Sequence, residues 1–214
     1  TIKHCMEFSF KGFIYRIFID PLISGLRKRL VSMILPGEKV IDIACGTGAL
    51  SLEMSGRAGH VTGIALSEDM ITTAIIMAKK RKAGNVSFHL LDATDLSCFP
   101  DHSFDTAVSA LAMHQFDPET GVKVLSEMKR IARRIIIADY NCPVRPGPAS
   151  WLAWGIEWIA GGDHYRSFRK YMEGGGIQRL AGESGLTISS RVEGGAGVFI
   201  VTLLSPDGIC TDLL

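Results

Sequence analysis

Asp42, Gly46 and Gly48 stand close together in the run Val40-Ile41-Asp42-Ile43-Ala44-Cys45-Gly46-Thr47-Gly48-Ala49-Leu50-Ser51. Val40 to Ile43 predicts a buried strand, the small residues a tight loop, and Ala49 onward a helix start whose N–H groups lack intrahelical partners and can face a ligand. Glycines let the backbone turn sharply and let a ligand approach without a Cβ in the way. Asp42 sets a carboxylate at the mouth of that loop. The dinucleotide fingerprint is the competing use of such a loop, but its third glycine would fall at Ser51. The ribose-binding acid expected about 20 residues later is missing too, because Ala65 holds the end of the next strand.

The elements that must position this loop form an alternating pattern. Phe10 to Leu35 predicts two helices broken at Asp20-Pro21, the second with Leu22, Leu26, Leu30 and Ile34 at helical spacing and a basic, solvated face. His60 to Leu66 predicts a second strand. Ser67-Glu68-Asp69-Met70 then caps a helix running to about Lys82. Asn85 to Leu91 gives a third strand, and Phe104 to Ser109 a fourth. Pro118 to Arg133 is an amphipathic helix with a basic end, and Ile135 to Ala138 reads as a strand buried on both faces. Trp151, Trp154 and Trp158 recur at i, i+3 and i+7 and share one helix face, either docked on the core or roofing a pocket. Gly174 to Gly176 opens a last crossover helix, and Leu186 to Val192 and Val198 to Leu204 end the chain as two β-rich runs. This order predicts an α/β, doubly wound sheet with a ligand at the carboxyl ends of its strands.

The arrangement from Val40 to Asp105 resembles motif I and the succeeding motifs of class I S-adenosylmethionine (SAM)-dependent methyltransferases, of the small-molecule type related to ubiquinone/menaquinone C-methyltransferases. That resemblance implies a mostly parallel seven-stranded, Rossmann-like sheet with helices on both faces and a C-terminal antiparallel hairpin. It assigns SAM, with S-adenosylhomocysteine as product, to Asp42, Ala44, Cys45, Gly46 and Gly48, with Ala44 replacing the commoner glycine. It places adenine beside Leu66, Met70, Asp92 and Ala93, with Ser109 at the end of strand four. Ordinary core packing explains Leu66 and Met70 equally well. Ala65 occupies the position where the family carries the acid that grips both ribose hydroxyls. Losing such a bidentate contact should cost roughly 1.5–3 kcal/mol; Asp69 could reach the ribose through water.

On the acceptor side the resemblance puts His114 near the transferred methyl group. Gly161-Gly162-Asp163-His164-Tyr165 becomes a glycine-hinged loop above it, so the candidate catalytic groups are His114, His164 and Tyr165, with Tyr140 nearby. Residues 1–37 would form an N-terminal helical cover, Tyr15 being a candidate contact, and residues 141–167 a substrate-cover insertion within one domain of 1–214. His164 and Asp163 could suggest a metal, but nothing at ligand spacing completes a site.

With 214 residues and 47% hydrophobic content, the chain can bury one substantial core. A net charge of +1 with mixed signs gives no electrostatic ground for nucleic acid or an acidic membrane as partner. The loop after strand four also lacks the proline-aromatic signature of nucleic-acid N-methyltransferases. Five widely spaced cysteines, Cys5, Cys45, Cys98, Cys142 and Cys210, contain no C-x-x-C pair and suit a reducing cytoplasm. No apolar run is long enough to span a bilayer. The expected function is methyl transfer from SAM to a small-molecule acceptor, oligomeric state open. Two alternatives are a SAM-fold binding or scaffold protein without turnover, because of Ala65, and a nucleic-acid methyltransferase.

Overall fold

The computed structural model describes residues 20–205, with Asp20, Pro21, Leu22 and Ala160 described in backbone only. Tyr15, Cys5 and Cys210, and the first half of the N-terminal cover, lie outside the described residues. Strands β1 (Lys39–Ile43), β2 (His60–Ala65), β3 (Val86–Leu90), β4 (Phe104–Ala110), β5 (Ala132–Tyr140), β6 (Thr187–Gly194) and β7 (Phe199–Ser205) form one sheet in the order β3-β2-β1-β4-β5-β7-β6. β1 to β5 are parallel, while β7 runs against both β5 and β6. The chain begins mid-sheet, steps outward to β3, then crosses back over β1 to build the other side. That reversal opens a crevice at the carboxyl ends of β1 and β4, where open α/β sheets take their ligands.

Helices α1 (Asp20–Met33), α2 (Ala49–Met54), α3 (Glu68–Arg81), α4 (Pro118–Ile131), α5 (Pro148–Ala160), α6 (Gly162–Glu173) and α7 (Gly176–Glu183) pack on this frame in separate groups, α1 with α2 and α4 with α6 and α7. Local chemistry sets their ends. Ser67 Oγ accepts from the Met70 amide at the start of α3, and the Asp117 carboxylate accepts from the Glu119 and Thr120 amides at 3.1 Å, with Pro118 in the first turn of α4. Ile23, Leu26 and Leu30 from α1, and Ile34 just after it, enter the core, as do Val124, Leu125, Met128 and Ile131 from α4. No helix among the described residues is long and apolar enough to cross a membrane.

Two local expectations change. The basic end of the helix predicted over Pro118 to Arg133 is not helical at Arg133 and Arg134, which belong to β5. Ala132 turns the backbone straight from helix to extended form, and the Arg134 guanidinium then meets the Glu38 carboxylate at 2.9 and 3.0 Å and the Met33 carbonyl at 3.0 Å. A charge that looked like a helix terminus instead ties α1 to the sheet. Similarly, Gly162 to Tyr165 is the first turn of α6 rather than a hinged loop. Gly161 and Gly162, at φ 70° and 58°, make the corner between α5 and α6, and Asp163 pairs with Arg166 on the exposed side.

Candidate active site

Asp42 is the penultimate residue of β1, just before the glycine loop. Its side chain is buried and accepts a hydrogen bond from Ser51 Oγ at 2.5 Å. Burial pushes its pKa from 3.8 up to about 7, against hydrogen bonds from the Ser51 side chain and backbone that favour the carboxylate. Ala44, Gly46 and Gly48 all take the left-handed backbone, at φ 58°, 55° and 75°. Ala44 does so with a Cβ, a strain of roughly 1 kcal/mol that glycine would avoid. At Gly48 glycine is required twice over, since a Cβ there would lie 2.6 Å from the Phe88 ring and 2.9 Å from Ala74 Cβ.

Phe88 is a supporting residue that the sequence reading missed. From β3 it fills the space under both Gly48 and Gly63, where a Cβ would again come within 2.6 Å of its ring. The Gly63 in β2 was the available signal, because an interior strand glycine marks a close approach. Cys45 is half-buried, and burial together with the nearby Asp42 pushes its thiol well above the ordinary range, so it stays protonated and inert.

Around this loop, Leu66 is 69% exposed and Met70 45% exposed, unlike core residues of their type. Their apolar surface faces outward beside the loop, with Met70 Sδ 3.9 Å from where a Cβ on Gly46 would lie. Ala65, which is buried, ends β2 and offers no polar group to a ribose. Asp92 is exposed after β3, one carboxylate oxygen accepting from the Thr94 amide at 2.9 Å and hydroxyl at 2.8 Å; Ala93 beside it is buried. Ser109 lies opposite Ile43 across the β1–β4 pairing. Its hydroxyl is buried without a hydrogen-bond partner, an unmet polar group at the crevice. Left-handed loop, apolar ledge and orphan hydroxyl together fit the methionine and adenine ends of SAM; the ribose grip is the missing part.

A second cluster occupies the neighbouring strand ends. His114, in the 3₁₀ turn Met113–Gln115 after β4, is 3% exposed. Its Nδ1 lies 2.6 Å from Asp139 Oδ1 at the end of β5, and its amide donates to Asp139 Oδ2 at 3.3 Å. Nε2 of the same ring faces Glu157 Oε1 of α5 at 3.7 Å. The other oxygen of Glu157 meets His164 Nε2 at 2.5 Å, while Tyr140 Oη donates to Oε1 at 2.7 Å. Burial disfavours a charged His114, yet Asp139 and Glu157 more than offset it and hold its pKa above the usual 6.5. Rings of Tyr140, His164, Phe168 and Tyr171 surround the imidazole edge-on, with centroids 4.8 to 6.5 Å away.

The structure brings His114, His164 and Tyr140 together around Glu157. Tyr165 stands at the margin, stacked on Phe168. The tryptophan face is corrected: Trp151 and Trp158 are 74% and 68% exposed, and only Trp154 packs inward, against Phe168 at 4.9 Å. The buried face of α5 runs instead through Ser150, Ala153 and Glu157. Asp139 and Glu157 were missed as site residues. Their signal was isolation, an acid closing the apolar run of β5 and the sole charge in Pro148–Ala160.

Comparison with known proteins agrees with this geometry. A family model described as a methyltransferase domain matches residues 34–164. The chain is 34% identical over 117 residues to an O-methyltransferase of Penicillium expansum, covering 51% of this chain and 42% of that protein. It is 31% identical over 137 residues to a demethylmenaquinone methyltransferase of Desulfitobacterium hafniense, covering 59% and 52%. The chain therefore spans about half the length of these curated relatives. The PH0226 protein of Pyrococcus horikoshii shares the fold with a TM-score of 0.67 at 21% identity, over 90% of this chain and 98% of that one. Magnesium protoporphyrin IX methyltransferase of Synechocystis, solved with bound S-adenosylhomocysteine, aligns with a TM-score of 0.65 at 20% identity, over 89% and 84%. The strand order gives the chain the Rossmann-like fold it shares with these solved structures. The chain belongs to the methyltransferase domain family.

Proposed function

We propose that this chain transfers a methyl group from SAM to a small, partly apolar acceptor. The observation that carries this reading is adjacency. The loop at the end of β1 and the polar cluster at the ends of β4 and β5 share one sheet edge, about 10 Å apart at two strand spacings. Asp42, Ala44, Cys45, Gly46, Gly48, Leu66, Met70, Asp92, Ala93 and Ser109 would hold SAM, which when bound supplies an electrophilic methyl group.

The chain's own groups then do three things. Helices α5 and α6 cover the cluster, so residues 141–167 act as a substrate cover and keep water from the reacting atoms. Trp154, Tyr165 and Phe168 offer an apolar wall, and His164, half-buried, is the polar group of the cluster nearest solvent. His164 and Glu157 can orient an acceptor hydroxyl and take its proton, while His114, fixed by Asp139, holds Glu157 in place. The relatives' names favour turnover over a scaffold role. Free Cys45, Cys98 and Cys142 support a cytoplasmic setting.

Calorimetry with SAM and S-adenosylhomocysteine on the wild-type chain and on Asp42→Ala tests the reading. Binding to the wild type that the variant loses supports it; unchanged affinity in the variant refutes the loop assignment.

A further inference from the structure

We propose that His114, Glu157 and His164 bind one divalent first-row transition ion of the Zn²⁺ type, with one coordination position left open toward solvent. One ligand atom from each residue lies within 4.8 Å of the others. Two imidazoles and one carboxylate with a free fourth position are the ligand chemistry of open zinc sites.

Ligands about 2.05 Å from a tetrahedral ion lie about 3.3 Å from one another. His114 Nε2 and Glu157 Oε1, at 3.7 Å, already stand near that separation. His164 Nε2 and Glu157 Oε2 are closer, at 2.5 Å, as hydrogen-bond partners. An entering ion takes the place of the proton between them, which moves to His164 Nδ1 if the ring is neutral or to water if the ring is doubly protonated. That pair must widen by about 0.8 Å, and the widest separation among the three ligand atoms, within 4.8 Å, must close toward about 3.3 Å; His164, partly exposed in the first turn of α6, is the residue placed to move.

The surrounding groups do what a metal site asks of them. Asp139 engages His114 Nδ1 at 2.6 Å, which fixes the tautomer with its lone pair on Nε2, toward the cluster. Tyr140 Oη steadies the Glu157 carboxylate at 2.7 Å. Charge argues the same way. Asp139 and Glu157 are buried carboxylates whose ion-pair partners, among the described residues, are His114 and His164 alone. With both imidazoles neutral, as metal ligands must be, a doubly charged ion balances the two acids. The ion site stands on this geometry; its use in activating an acceptor oxygen rests on the methyl-transfer reading.

The test strips the full chain with chelator, then titrates it with Zn²⁺ by competition and with Co²⁺ by visible absorption. One equivalent should bind, with a tetrahedral or five-coordinate Co²⁺ spectrum. Glu157→Gln and His164→Ala should each weaken binding at least tenfold, and Asp139→Asn by about 10–100-fold. Thermal melts check that the variants fold. No stoichiometric binding, or equal binding by folded Glu157→Gln and His164→Ala variants, overturns the site and leaves a hydrogen-bonded imidazole–carboxylate network. SAM calorimetry on the same preparations separates the claims: SAM without metal removes only the ion site, and metal without SAM removes only the methyl-transfer reading.

Discussion

On the β1 side of the crevice, one short stretch, Asp42 to Gly48, is the proposed SAM loop, and what stands behind it is steric: Phe88 beneath Gly48 and Gly63. On the β5 side, the polar groups arrive from four segments, the turn after β4, the end of β5, α5 and α6, and what holds them is charge and hydrogen bonding. The first region depends on backbone shape and fails when an atom is added. The second depends on which protons and charges are present and fails when a group is neutralised. A ligand recognised through main chain can be held by a loop of small residues, whereas an acceptor that must be oriented needs side chains converging from several elements.

The sharpest break of the first region is Gly48→Val. A Cβ 2.6 Å from the Phe88 ring, at φ 75°, combines overpacking with left-handed strain, together about 2–5 kcal/mol. Urea denaturation should show that loss, and SAM binding should vanish with it. Gly46→Val meets only Met70 Sδ, at 3.9 Å, so its stability cost should be roughly 1–2 kcal/mol, from strain alone. Equal stability costs in the two variants would contradict the steric role of Phe88.

Asp42 supplies the pH signature. Its folded pKa of about 7 lies above the unfolded value of 3.8. Between those values the folded chain keeps a proton that the unfolded chain has released, so stability falls as pH rises through that window. The full amplitude is about 4 kcal/mol for the shift from 3.8 to about 7. Asp42→Asn, which cannot ionise, should lose this slope. Subtracting its stability curve from that of the wild type, pH 4 to 8, isolates Asp42. A flat difference would mean that the carboxylate is better solvated than its burial indicates.

Ala65→Asp asks whether the β2 end can regain the ribose contact. A carboxylate there should tighten SAM binding by roughly 1.5–3 kcal/mol, read by calorimetry at neutral pH. Weaker binding would show that the ribose lies elsewhere and that Ala65 lines a differently shaped surface.

How much could be read in advance divides along the same line. Strands β1 to β4, the glycine loop and the Ser67 cap were legible because each is encoded within a few consecutive residues. The α4–β5 junction was not, because Arg133 and Arg134 suit a helix terminus by charge, and only the partner Glu38, far away in sequence, reveals Arg134 as a strand residue. His114 and His164 were visible as types. Their meeting at Glu157 was not, since nothing local tells which face of an almost wholly apolar helix turns inward.

Helix α5 therefore carries the finest test of the contrast, through its three tryptophans. Periodicity groups its three tryptophans on one face, but the structure turns that face outward: Trp151 and Trp158 are exposed, and Ser150, Ala153 and Glu157 point inward. Exposed side chains outside caps, cores and networks change stability by less than about 0.5 kcal/mol when replaced. Trp151→Gln and Trp158→Gln should each fall in that range and leave SAM affinity unaltered. Trp154→Ala removes the ring that meets Phe168 at 4.9 Å, worth roughly 0.5–1.5 kcal/mol beyond its buried area, and should loosen the cover over His164. Denaturation of the three variants decides between a helix oriented by its tryptophans and one oriented by Glu157: a cost of several kcal/mol at Trp151 or Trp158 would mean that this face is covered, and the inward placement of Glu157 would fall with it.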